Sequence, residues 1–175
     1  MRFDRYPVAE HVNESAEFRS VASEFCGLYE QATELGAERF LLGLARTLPR
    51  LHAAGVALPF PATDEAEIPD EDLDVRLGVE ERQAVDWPVA GLLKQLNWTE
   101  VQKRLADPTA DSLSLYDDLS SIYADLKEGF LLVEAGRPEA EAVFYWRLNF
   151  WSHWGYHSAA ALKLVHYYAA LYLTG

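Results

Sequence analysis

DSLSLYDDLSSIYADLKEGFLLVEAGRP, residues 111–138, is the stretch from which the fold can be read. Leu115, Leu119, Ile122, Leu126 and Val133 recur at helical spacing, with Tyr116, Tyr123 and Phe130 beside them. That period puts the apolar side chains on one stripe of a helix. Asp111 or Ser112 is the expected N-cap, because a short side-chain oxygen can accept from the first free backbone N–H groups. At the other end Gly136, with Pro138 two residues later, is a strong C-terminal signature.

Downstream, Pro138 suits the first position of a new helix, and Glu139 and Glu141 suit its positive end. The apolar pattern then continues to about Tyr172. A straight helix of that length would measure roughly 50 Å, more than the ~40 Å width of a domain this size. A bend near Gly155 is therefore expected.

Upstream, Phe18, Val21, Ala22, Phe25, Leu28, Tyr29 and Ala32 mark an amphipathic helix from Asn13 to Leu35, preceded by an extension over 1–12. Asn13 or Ser15 is its expected cap and Gly36 its stop. A second helix runs from Ala37 to about Val56 on Phe40, Leu41, Leu44, Leu48 and Leu51, and Pro49 should kink or divide it. A third spans about Val79 to Leu96 with an interruption near Pro88. Thr99 is expected to cap a short fourth ending at Asp107-Pro108. No alternating strand pattern competes, so the expected fold is an all-α, single-domain bundle of five or six helices.

Composition agrees. The chain has 175 residues, half of them hydrophobic and 13% aromatic, with a single cysteine, Cys26. This is the profile of one globular domain rather than of a disordered or disulfide-stapled chain. The net charge is −13, and residues 64–86 carry −8 of it. Such a balance repels nucleic-acid phosphates and anionic lipid surfaces, so neither is an expected partner. The charged N-terminus lacks the apolar run of a secretory signal, and Lys163 and His166 interrupt the longest apolar stretch. The cytoplasm is the expected compartment.

Three stretches together resemble a bacterial family, the domain-of-unknown-function family numbered 5063. They are Leu48-Pro49-Arg50-Leu51 leading into Leu58-Pro59, then Asp118 through Gly129, and then Trp146-Arg147, Phe150, His153-Trp154-Gly155-Tyr156-His157 and Ala161-Leu162 through His166. Asp107-Pro108 and the acidic segment are also similar, and the likeness spans the chain from about Phe18. The resemblance implies an all-helical cytoplasmic protein, with no assigned activity and no catalytic residues to carry over.

Two places stand out as candidate sites. On the last helix, Trp146, Phe150, His153, Trp154 and His157 fall on one broad arc at about 100° per residue. His153 and His157 lie one turn apart, a spacing that lets two imidazoles share a metal ion. A third and fourth ligand would have to come from another helix, and Asp118 and Asp125, two turns apart on the preceding long helix, are the candidates to supply them and complete the pocket. Arg147 sits on the same arc and needs an anionic partner, for which Asp118, Asp125 or Glu128 is expected. Without a Glu-x-x-His motif or a Cys–His set, the plain reading of these histidines is packing, and neither metal nor cofactor is expected. No nucleophile elbow or phosphate loop occurs either, so an enzyme is the less favoured reading.

The second place is the loop expected over 58–77, with Asp64, Glu65, Glu67, Asp70, Glu71, Asp72 and Asp74. It reads either as a solvated loop or as a docking surface for a basic protein partner. Tyr145, Tyr156 and Tyr167 on the last helix suit either cover by another helix or a homodimer contact. From sequence, then, the leading expectation is a protein-binding module. A small-molecule or metal site between 112–135 and 138–172 is the alternative.

Overall fold

The structure is a computed structural model that describes residues 8–59 and 76–172, with side chains from Glu14 onward. In chain order the helices are α1 (Val8–Glu30), α2 (Ala32–Ala57), α3 (Val79–Lys94), α4 (Thr99–Leu105), α5 (Ser112–Glu134), α6 (Glu139–Asn149) and α7 (Gly155–Tyr172). A π turn, Phe150–Trp154, joins α6 to α7, so the two make one long broken rod. Among the described residues the chain is thus an all-α bundle of six rods with no strand. None of its described helices is long and apolar enough to cross a membrane.

α5 keeps both of its expected ends. Asp111 accepts from the backbone N–H groups of Leu113 and Ser114, both at 2.9 Å. Gly136 takes a positive φ of 78°, which costs glycine nothing. The Arg137 and Gly136 N–H groups then reach back to the Leu132 and Val133 carbonyls, closing a Schellman motif. Between these ends α5 packs against α1, α3, α6 and α7, and α2 packs against α1, α3 and α7 from the other side.

Several expected boundaries differ. α1 begins at Val8, so Asn13 and Ser15 are helical residues rather than caps. It ends at Glu30, and one more helical turn precedes Gly36, whose φ of 75° breaks the backbone where the stop was expected. Trp98, not Thr99, is the N-cap of α4, and just before it the Asn97 side-chain oxygen accepts from the Thr99 N–H at 3.1 Å. Neither Pro49 nor Pro88 divides its helix. Both rings lie on exposed faces, where water can serve the carbonyl four residues back. Leu44, Leu48 and Leu51 around Pro49, and Val89 and Leu93 after Pro88, are fully buried and hold each helix together.

The bend near Gly155 is the π turn. The Gly155 N–H bonds to the Phe150 carbonyl five residues back. A Cβ at Gly155 would lie 2.2 Å from that carbonyl oxygen, so the turn requires glycine. Trp146 and Trp154 are both completely buried on either side of it. Their indole N–H groups bond to the Leu126 and Trp146 carbonyls at 3.1 and 3.0 Å, and both rings pack on Phe18.

Candidate functional site

Two Asp–His pairs link α5 to the π turn and the start of α7. His153 Nδ1 lies 2.7 Å from Asp125 Oδ2, and His157 Nδ1 lies 2.8 Å from Asp118 Oδ1. The two imidazoles meet edge to face with ring centres 4.9 Å apart. Two turns of α5 thus face one turn of the last rod in antiparallel register. An ionised carboxylate can only accept, so each Nδ1 carries a proton and donates it. In the neutral form of either ring the lone pair is then on Nε2, and among the described residues no hydrogen bond engages either Nε2.

The carboxylates are buried, while the His153 and His157 side chains keep 49% and 23% of their exposure. Burial pushes both Asp118 and Asp125 above the usual carboxylate range, and each one's histidine partly offsets this. Next to Asp125 stands Glu128, which accepts a short hydrogen bond from Tyr145. Burial and Glu128 together hold the Tyr145 phenol protonated well above its ordinary range, and Arg76 is close enough to oppose this.

The sequence-expected set divides here. Asp118, Asp125, His153 and His157 come together; Arg147 and Trp154 do not join them. Arg147 stands in the field of Glu14 on α1, while His157, His153 and Tyr145 engage Asp118, Asp125 and Glu128. Trp154 is core, and so is Trp146, whereas Trp151 is 55% exposed. The reason is the π turn. An extra residue in one turn advances the phase by about 100°, so a uniform helical wheel misplaces Trp146 and Arg147 relative to the histidines.

Other groups with chemical potential are committed to the fold. Burial pushes the Cys26 thiol up to about 12, which leaves it inert at neutral pH. Ser158 lies 2.6 Å from His52 Nδ1, yet its own proton goes to the Gly155 carbonyl at 2.9 Å. It is also fully buried, so it is not an activated nucleophile. A shallow groove of about 230 Å³ between α3 and the start of α5 is lined by Trp87, Ala90, Lys94, Ser112, Leu113 and Tyr116, none of them a candidate site residue.

Sequence reasoning missed Asp86, which it counted within the acidic segment. Asp86 is buried and accepts from Tyr29, Ser120 and Arg82. The signal was available: Asp86, Val89 and Leu93 recur at core spacing on α3. Asp64, Glu65, Glu67, Asp70, Glu71, Asp72 and Asp74 lie outside the described residues.

A family model described as a domain of unknown function, DUF5063, matches residues 10–170. The chain belongs to this family. Its fold is shared with the crystal structure of protein BF1032 from Bacteroides fragilis, which is 21% identical, with a TM-score of 0.68. The match covers 91% of this chain and 93% of that one. No curated protein matches the chain. Of the three stretches that suggested the family, the second, with Asp118 and Asp125, and the third, with His153 and His157, supply the Asp–His pairs.

Proposed function

We propose that this DUF5063 protein binds a small polar ligand at the face between α5 and the π turn, using His153 and His157 as a pair of acceptors. One observation carries the reading. Each imidazole is held through Nδ1 by a buried carboxylate, and two neighbouring Nε2 atoms are left without a hydrogen-bond partner among the described residues. A carboxylate behind a histidine sets its tautomer and raises its basicity, as at metal and acid–base sites. Partial exposure of both rings gives the ligand access.

Long-range nitrogen–proton spectra of the histidine rings test this. At neutral pH the neutral forms of His153 and His157 are expected as the Nδ1–H tautomer. Asp125→Asn and Asp118→Asn should each shift their own histidine toward the Nε2–H form. Nε2–H tautomers in the unaltered protein would overturn the reading.

A second reading, docking of a basic protein, is favoured by the exposed aromatics Trp151 and Tyr156 on the same rod, 55% and 72% accessible. The −8 charge of residues 64–86 would supply steering. An arginine-rich peptide is then expected to bind with an affinity that falls steeply with salt. Replacing Asp70, Glu71, Asp72 and Asp74 by their amides should abolish that dependence, and equal binding by the amide variant would refute it.

A further inference from the structure

We infer that His153 and His157 chelate one divalent transition-metal ion of the zinc class through their two Nε2 atoms, with Asp125 and Asp118 holding the rings from behind. The inference rests on the proposed acceptor site and names its ligand.

The geometry is close to what chelation requires. With Zn–N bonds of about 2.0–2.1 Å and a tetrahedral angle, two imidazoles on one ion have ring centres about 5 Å apart. The observed separation is 4.9 Å, which matches that spacing. Metal-bound histidines almost always donate the second ring N–H to a carboxylate, carbonyl or water. Here both do so, at 2.7 and 2.8 Å. This is more than packing needs, because one Asp–His bond would already fix the register of α5 against the last rod.

The backbone contributes as well. His153 lies in the π turn and His157 in the first turn of α7, with Gly155 between them. Four residues apart, the two rings share the face of the last rod that meets α5. Among the described residues no group of three or more His, Cys, Asp or Glu is placed to hold a metal. Those residues supply two ligands, and the remaining positions would be filled by water or by a small ligand. Imidazole donors of this kind suit zinc, nickel and copper and discriminate against magnesium and calcium, which take oxygen ligands.

The test is calorimetric titration of tag-free, chelator-treated full-length protein with zinc chloride. Ring nitrogen spectra are recorded on the same samples. One equivalent of zinc is expected, with the Nε2 signals of His153 and His157 moving and those of His166 unmoved. His153→Gln, at the more exposed ring, should abolish that binding while the helical circular dichroism is unchanged. Asp125→Asn should weaken it by about 10–100-fold, the usual effect of losing an outer-shell carboxylate. Magnesium should not bind. No stoichiometric zinc, or zinc binding unaffected by both substitutions, overturns the inference. If the ring spectra still show Nδ1–H tautomers in that case, the acceptor site stands and only the metal fails. If the tautomers are reversed, both readings fall together.

Discussion

Replacing Gly129 with alanine is expected to destabilise the fold by about 3 kcal/mol, although alanine is the better helix former by about 1 kcal/mol. The reason is Trp146. A Cβ at Gly129 would stand 2.0 Å from the indole Nε1 and 2.3 Å from Cε2. The ring cannot swing away cheaply. It is completely buried, packed between Phe18 and Phe130, and bonded through Nε1 to the Leu126 carbonyl at 3.1 Å. Overfilling a packed core costs about 1–3 kcal/mol, and stranding a buried N–H adds about 1–3. Gly91, on the exposed side of α3, is the control: nothing lies within 4 Å of its Cβ position. Gly91→Ala should stabilise by up to about 1 kcal/mol, so the two substitutions differ in sign. Urea midpoints decide the matter. For a domain of this size the Gly129 variant should also melt roughly 6–12 °C lower. A neutral Gly129→Ala would mean that Trp146 is not seated against α5.

That same contact shows how far the sequence could be read. The helices were legible because their apolar residues repeat at a helical period, and because Asp111, Gly36 and Gly136 are side-chain types with local reasons to end a helix. The candidate site was legible in half. Two carboxylates two turns apart on α5 and two histidines one turn apart on the last rod are local patterns, and their pairing followed from packing one rod on the other. The half that misled depended on phase across the π turn. Nothing in residues 150–155 announces a π turn except Gly155, and glycine alone does not specify one. Arg147 was therefore assigned to the α5 carboxylates instead of to the field of Glu14 on α1. Asp86 was misjudged for a different reason: its neighbours in sequence are acidic, and charge drew attention away from its core spacing. Pro49 and Pro88 show the reverse error, since a local rule was overridden by long-range burial on the opposite helix face.

Asp86→Ala is expected to cost about 3–5 kcal/mol, the range for removing one partner of a buried charged network. Asp86 accepts from the Tyr29 hydroxyl at 2.7 Å, from Ser120 Oγ at 2.8 Å and from Arg82 Nε at 3.1 Å. It joins α1, α3 and α5 at one point beneath the surface. Alanine leaves two buried hydroxyls without an acceptor and a guanidinium without its anion, on top of a small cavity. Asp86→Asn should cost less, because one amide oxygen still accepts. The network also sets a limit at alkaline pH. Burial first, and then the charge of Asp86, hold Tyr29 protonated far above the usual phenol range. In the unfolded chain tyrosine titrates near pH ~10. A folded pKa above the unfolded one gives stability that is fully present below about pH 10 and is lost as pH rises beyond it, because only the unfolded chain releases the proton. Tyr123 and Tyr145 are shifted the same way, so urea midpoints of the unaltered protein should fall steeply above about pH 10. In Asp86→Asn the fall should be shallower but still present, since burial is the larger cause at Tyr29. Pairing Asp86→Ala with Ser120→Ala separates network from bulk packing: if the hydroxyl's cost comes from its lost acceptor, the double variant should be more stable than the sum of the two single losses predicts. Strict additivity would mean that Asp86 and Ser120 act independently, and that the junction of α1, α3 and α5 is held by its apolar contacts alone.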